Sequence, residues 1–136
     1  MAITKAENQV TWAAANSVSV TAGSNQTSDV VTLDVTCFNA AITVKADNIT
    51  TPVASDRIYV WMLQSSGDPD GASADEYDSI KHAKLLSILD TYAEDPAIET
   101  ISIPTANKSF KIYAEGATAG TTNSITVSAT ITEQRG

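Results

Sequence analysis

The clearest pattern in the chain is a strict alternation of apolar and polar residues near its C-terminal end. In SITVSATITEQ, residues 124–134, the apolar side chains fall on one face, and threonine and serine fall on the other. This period of two is that of a β-strand with one buried face and one wet face. The same alternation occurs at residues 28–36, 40–47 and 108–116. We therefore predict antiparallel strands in these segments.

Turn-forming strings separate the predicted strands. AGSNQTSD follows a short predicted strand at 17–21, and GATAGTTN lies between the last two strands. A further strand is predicted at 99–104, and residues 109–132 are predicted to form a hairpin with a long loop. The spacing of the turns is typical of a β-sandwich.

Composition favours the same fold class. The chain is rich in Thr, Ser and Ala and poor in Leu, Glu, Lys and Arg, a balance that suits strands better than surface helices. Its 136 residues fit one domain with a core of its own. We predict an all-β fold, an antiparallel β-sandwich of Ig-like or jelly-roll-like type, as a single domain over 1–136. Residues 1 to about 15 have no clear pattern and are predicted to form an N-terminal arm that lies over a neighbour.

One segment has two interpretations. Within 74–92, a helix would align apolar side chains at i, i+3, i+4 and i+7, and Ser73 with Glu76 would fit a capping box. A strand would place Ile88 and Asp90 on the same face, which is a less regular pattern. Both a short helix and a strand remain open for this segment. The Glu-Asp-Pro string at 94–96 ends either element.

The segment RIYVWMLQ, residues 57–64, is apolar on both faces. One interpretation is a central strand whose outer face lies under a loop or under the N-terminal arm that carries Trp12. The other is that Tyr59, Trp61 and Leu63 face a neighbouring subunit, because exposed aromatic patches often mark interfaces. The candidate interface residues are therefore Trp12, Tyr59, Trp61 and Leu63.

Charge and residue content argue against several functions. A net charge of -8 disfavours binding to nucleic acid or to an anionic membrane. The single cysteine, Cys37, and the single histidine, His82, exclude an internal disulfide and the usual zinc sites. The chain contains no GxSxG motif and no nucleotide-phosphate loop. We expect a protein that is not an enzyme, needs no cofactor, and is made in the cytoplasm without a signal peptide or a membrane span.

An acidic stretch, SGDPDGASADEYD at 66–78, is the candidate for metal chemistry. Calcium binds carboxylate and carbonyl oxygens, so Asp68, Asp70 and Asp75 are candidate ligands. The order of the acidic residues does not match an EF-hand loop. The alternative is a turn, in which proline, aspartate and glycine each have a conformational role. We favour the turn, and a bound cation stays an alternative.

Three strings give the chain a recognisable resemblance: WAAANSVSVTAGSNQTSDVVTLDVTC, YVWMLQSSGDPDGASADEYD and SITVSATITEQRG. Together they resemble the small structural proteins encoded among the virion genes of tailed bacteriophages. The resemblance implies a β-sandwich or Ig-like module that decorates a capsid or serves as a tail or adaptor component. It brings no catalytic residues with it.

The resemblance implies a location in the virion, and a capsid decoration protein is the leading hypothesis. The expected partners are the major capsid protein or other virion proteins, with a homo-oligomer inside the particle. A tail or neck component is the first alternative. A calcium- or carbohydrate-binding adhesion module that uses the acidic stretch is the second.

Overall fold

The computed structural model describes residues 2–67, 76–117 and 124–136, and in them two antiparallel β-sheets pack against each other. Sheet A consists of β1 (Thr4–Gln9), β2 (Val18–Val20), β5 (Cys37–Asn48), β9 (Ala97–Ile103) and β11 (Ile125–Arg135). Sheet B consists of β3 (Asn25–Thr27), β4 (Val31–Thr32), β6 (Arg57–Gly67), β7 (Glu76–Tyr77), β8 (Lys84–Asp90) and β10 (Ser109–Gly116). The prediction of an all-β antiparallel sandwich is confirmed.

Two long strands occupy the centre of each sheet. In sheet A, β11 pairs with β5 and β5 pairs with β9, while β1 and β2 follow one another along the other side of β11. In sheet B, β10 pairs with β6. The short strands β3 and β4 lie outside β10, and β7 and β8 lie outside β6. The predicted central position of the doubly apolar strand is therefore observed for β6.

The core lies between the two sheets. Each central strand directs alternate side chains inward, as period two requires, and these side chains are buried. Fully burying an aliphatic or aromatic side chain of this kind contributes about 1.5–3 kcal/mol relative to leaving it exposed. The innermost residues are Ile42, Val44, Ala46, Ile58, Val60, Met62, Phe110, Ile112, Ala114, Val127, Ala129 and Ile131.

The predicted hairpin over 109–132 is wrong. β10 pairs with β3, β4 and β6 in sheet B, whereas β11 pairs with β1, β2 and β5 in sheet A. The two strands are consecutive in sequence, but they belong to opposite layers of the sandwich. Each strand has long partners in its own sheet, and facing each other across the core lets both bury their apolar sides.

The predicted strand over 28–36 is also shorter than expected. Only Val31–Thr32 form a strand, and Val35 is 85% exposed. The Asp34 carboxylate accepts hydrogen bonds from the backbone N–H and the hydroxyl of Thr36, and the Cys37 N–H donates to the Asp34 carbonyl. An aspartate that closes a turn onto its own backbone ends the alternation there.

The segment with two interpretations is mainly a strand. β8 covers Lys84–Asp90, and the described part of this segment contains only a three-residue 3₁₀ helix, Ile80–His82. The helix that the i, i+3, i+4 and i+7 spacing predicted is wrong, because the residues with that spacing begin in β8. The register of β8 against β6 shifts between Val60 and Trp61, so that Leu85 and Ile88 both lie opposite outward-facing residues of β6. Because this bulge inserts one residue, two outward side chains are three positions apart, which imitates helical spacing in the sequence.

The predicted N-terminal arm differs from the structure. Residues 4–9 form β1, which pairs with residues 130–135 of β11 and extends the chain's own sheet. Its side chains are mostly polar or charged, and they are largely exposed because β1 lies at the edge of sheet A. The pattern looked irregular because an edge strand has little need for an apolar face.

Candidate interaction surface

The outer side of sheet B carries a connected apolar surface. Trp61 lies in register with Leu85 on one side and with Tyr113 on the other. Directly paired residues of an antiparallel sheet point to the same face, so these side chains are neighbours. Six outward residues of sheet B form this surface, which we call the aromatic face: Tyr59, Trp61, Leu63, Leu85, Ile88 and Tyr113.

The aromatic face is partly open to solvent. Leu85 is 46% exposed and Ile88 is 51% exposed. Tyr59 and Trp61 are half-buried, since they lie on the central strand β6 with side chains of β8 and β10 on either side. Scattered apolar side chains are normal on a protein surface, but a connected group of this kind is typical of a contact surface.

Charged side chains surround the aromatic face. The guanidinium of Arg57 lies 3.6 Å from the carboxylate of Asp90. The ammonium group of Lys111 lies 4.6 Å from the centre of the Tyr77 ring, within the range of a cation–π contact. Burial raises the pKa of Tyr113, and the nearby carboxylate of Glu115 raises it further. Two positive and two negative groups therefore lie in the outward positions of β6, β8 and β10.

The outer side of sheet A has a different chemistry. Its side chains are mostly threonine and serine, and the hydroxyl groups of Thr43 and Thr100 lie 2.8 Å apart across two strands. The exposed apolar residue among them is Ile98, on the edge strand β9. The two faces of the sandwich therefore offer unlike surfaces to a partner.

The four residues predicted for an interface do not all lie together. Tyr59, Trp61 and Leu63 share the aromatic face, as the alternation predicted, although Leu63 itself is buried. Trp12 is only 4% exposed and packs in the hydrophobic core, so it lies away from this surface. The sequence did not indicate that the Trp12 ring, which lies beside a tight turn, would be buried in the core.

Sequence reasoning missed three members of the aromatic face. Leu85 and Ile88 were obscured by the two interpretations of their segment. Tyr113 was available from the alternation in 108–116, since it is the outward neighbour of the buried Ile112.

A buried carboxylate also escaped notice. Glu133 occupies an inward position of β11, and its side chain is fully buried. It accepts hydrogen bonds from the side chain of Asn8 at 2.7 Å, the backbone N–H of Asp34 at 2.8 Å and the guanidinium of Arg135 at 2.6 Å. Burial by itself would raise the pKa of Glu133, but the hydrogen bonds outweigh it, led by the one from Arg135, and hold the pKa below its ordinary value.

A second buried polar group, centred on Asn48, joins loops at the end of the sandwich opposite Glu133. The side-chain amide of Asn48 donates to the carboxylate of Asp56 at 3.0 Å and lies 3.2 Å from the hydroxyl of Thr91. The same carboxylate also accepts a hydrogen bond from the Val53 N–H. These contacts satisfy buried polar atoms and fix loop positions, as is usual for such groups.

The proposed cation ligands Asp68, Asp70 and Asp75 lie outside the described residues. Among the residues that are described, no group of three or more His, Cys, Asp or Glu side chains is arranged to hold a metal ion. No helix in the same part of the chain has the length and apolar character needed to span a membrane.

Comparison with known proteins gives only distant likenesses. No family model matches the chain, and no curated protein matches it. A family GH115 4-O-methyl-α-glucuronidase with specificity for decorated arabinogalactans is similar over 93% of this chain, with 14% identity and a TM-score of 0.41, and the chain spans 16% of that protein. An acid-stable capsid structure of the Helicobacter pylori bacteriophage KHP30 is similar over 96% of this chain and 93% of that one, with 17% identity and a TM-score of 0.37.

Proposed function

We propose that this protein is a virion structural protein of a tailed bacteriophage, and specifically a capsid decoration protein that acts by binding and not by catalysis. The observation that carries the proposal is the aromatic face. Leu85 and Ile88 add nothing to the core from their outward positions, yet both are large and apolar. The three strings that resemble tailed-phage virion proteins support the same assignment.

A decoration protein needs a contact surface more than it needs a pocket. Aromatic rings flanked by aliphatic side chains and surrounded by charges have the composition expected at the centre of a protein–protein interface. Where copies also associate with one another on the particle, each assembly makes several contacts at once, so a modest affinity at each contact is enough for stable attachment. The hydroxyl-rich outer side of sheet A would then face solvent or the adjacent subunits.

The first test is the composition of the particle. Mass spectrometry of purified virions from the source should detect this chain. Decoration predicts on the order of hundreds of copies per particle, whereas a tail or neck ring predicts about six or twelve. Absence of the chain from purified particles would remove the proposal, and a ring-sized copy number would replace decoration by the tail or neck alternative.

The second test uses two matched substitutions. Ile88 is 51% exposed on the outer side of sheet B, and Ile98 is 52% exposed on the outer side of sheet A. Ile88→Lys should reduce incorporation into particles roughly tenfold or more, because a charge would be buried in the contact. Ile98→Lys should have little effect. Equal thermal midpoints for the two variants would show that folding is intact, and an incorporation loss for Ile98→Lys alone would contradict the assigned surface.

A further inference from the structure

We infer that the aromatic face binds the same face of a second copy of this chain, around a two-fold axis that runs along the row Leu85–Trp61–Tyr113. The inference rests on the proposed function, because it names the first partner of the surface assigned there. The residues of this row lie side by side across β8, β6 and β10. The charged residues on either side of this row favour such an axis.

The two flanking positions carry opposite charges. On β10, Lys111 lies two residues before Tyr113 and pairs with Leu63. Glu115 lies two residues after Tyr113 and pairs with Tyr59. Side chains on one face of a strand recur about every 6.8 Å, so the two charges are equally distant from the row. A two-fold axis along the row exchanges the two sides. Lys111 of each copy would then lie opposite Glu115 of the other, twice in every dimer.

The outer positions also match under the same axis. Arg57 and Asp90 pair with each other beyond Tyr59, on the Glu115 side of the row, and already form an ion pair. At the same distance on the other side of the row lie Ser109 and Tyr77, whose hydroxyl oxygens are 3.4 Å apart. The exchange would bring an internally neutral ion pair against hydroxyl groups, so these four described residues put no like charges opposite one another. A two-fold axis parallel to the strands would instead bring the Lys111 sides of both copies together.

Charge balance explains why this surface suits a second copy of an acidic chain. Each copy has a net charge of -8, so most contacts between two copies would be repulsive. On the outward positions of β6, β8 and β10, two positive side chains, Arg57 and Lys111, balance two negative ones, Asp90 and Glu115. The aromatic face is therefore a neutral, apolar region of an otherwise acidic molecule.

The size of the surface predicts a weak dimer. The outward side of β6, β8 and β10, three strands about 4.8 Å apart and about 27 Å long, covers about 400 Å² per copy. The total for two copies, about 800 Å², lies in the range of weak, transient interfaces. We therefore expect a dissociation constant on the order of micromolar or weaker, with the particle supplying further stability through multiple contacts.

The test is a charge exchange followed by sedimentation over about 1–500 µM protein. Lys111→Glu and Glu115→Lys should each weaken dimerisation roughly tenfold or more, because each places like charges opposite one another twice. The double variant Lys111→Glu with Glu115→Lys should restore wild-type dimerisation. Lys45→Glu, an equivalent charge reversal on the outer side of sheet A, is the matched control and should leave the dimer unchanged.

The rescue by the double variant separates the inference from simple damage. Loss of the contact between Lys111 and Tyr77 cannot be repaired by a second substitution at Glu115, so restored dimerisation requires pairing across the axis. A monomer at every concentration, or a double variant as weak as the single ones, would overturn the inference. If the monomeric protein still enters particles, the proposed function stands alone. If the dimer behaves as described but the chain is missing from virions, only the inference stands.

Discussion

At the scale of single residues, the turn after β1 shows how one side chain can hold a costly backbone. Ala13 and Ala14 have φ values of 49° and 68°, and the flanking Trp12 and Ala15 exchange two backbone hydrogen bonds. Two consecutive residues at positive φ characterise a type I′ turn, which normally uses Asn and Gly. The carboxylate of Asp29 accepts hydrogen bonds from both alanine N–H groups, and these bonds lower its pKa, with that from Ala14 contributing most.

Replacing Ala14 by glycine should therefore stabilise the protein. Glycine removes the steric cost of positive φ, which exceeds the entropy that it adds to the unfolded chain, and we expect a net gain of about 0.5 kcal/mol. Ala15→Gly is the control, since Ala15 is exposed and has no positive φ, and it should be neutral or destabilising. Urea denaturation of both variants provides the measurement. A loss of stability in Ala14→Gly would contradict the explanation.

At the scale of elements, β11 holds the N-terminal strand and the turn before β5 together through one buried carboxylate. Glu133 binds Asn8 of β1, the backbone of Asp34 and the guanidinium of Arg135. A buried carboxylate is stable only when its acceptor sites are filled in this way. The pKa of Glu133 is lowered in the folded state, so its contribution is complete above the ordinary value of 4.5 and disappears as the pH falls through the folded value.

Glu133→Gln should reduce the free energy of unfolding at pH 7 by about 1–3 kcal/mol, because the amide replaces a charged acceptor with a weaker one and adds a donor that has no partner. The difference from the wild type should shrink as the pH falls from 4.5 towards the lower folded pKa, because the unfolded carboxyl then binds a proton that the folded one does not. Glu7→Gln, on the exposed side of β1, should have little effect at either pH. Thermal or urea unfolding at pH 7 and pH 3 measures the effect, and a pH-independent difference would rule out the carboxylate as its source.

At the scale of the whole molecule, both sheets contribute to a single hydrophobic core. That core contains Cys37, which is 3% exposed. Burial raises the pKa of the thiol, and the neighbouring carboxylate of Glu133 raises it further. Both effects suppress the thiolate, which is the reactive form. The only cysteine of the chain is therefore a reporter of opening of the sandwich.

Native protein should react with a thiol reagent far more slowly than denatured protein, and its rate should follow the stability of each variant. Labelling of Cys37 by a chromogenic disulfide at pH 8 measures this directly. Ala14→Gly should slow labelling, and Glu133→Gln should accelerate it, if labelling requires global opening. Rapid labelling of the native wild type would mean that the end of the sandwich near Cys37 opens by itself.

The alternation of apolar and polar residues predicted the positions of most long strands and the faces of their side chains from the sequence alone. It located most of the long strands, and it assigned their inward side chains to the core and Tyr59, Trp61 and Leu63 to one face of β6. These properties are local, because successive side chains of any strand point to opposite faces.

Tertiary structure alone decided which strands pair. β10 and β11 belong to different sheets, and β8 gains a bulge that brings Leu85 beside Trp61. It also decided that Trp12 is covered and that the carboxylate of Glu133 is buried. These outcomes depend on contacts between residues far apart in the chain. Their free energy is set by how the two sheets fit together, which a period along the sequence does not encode.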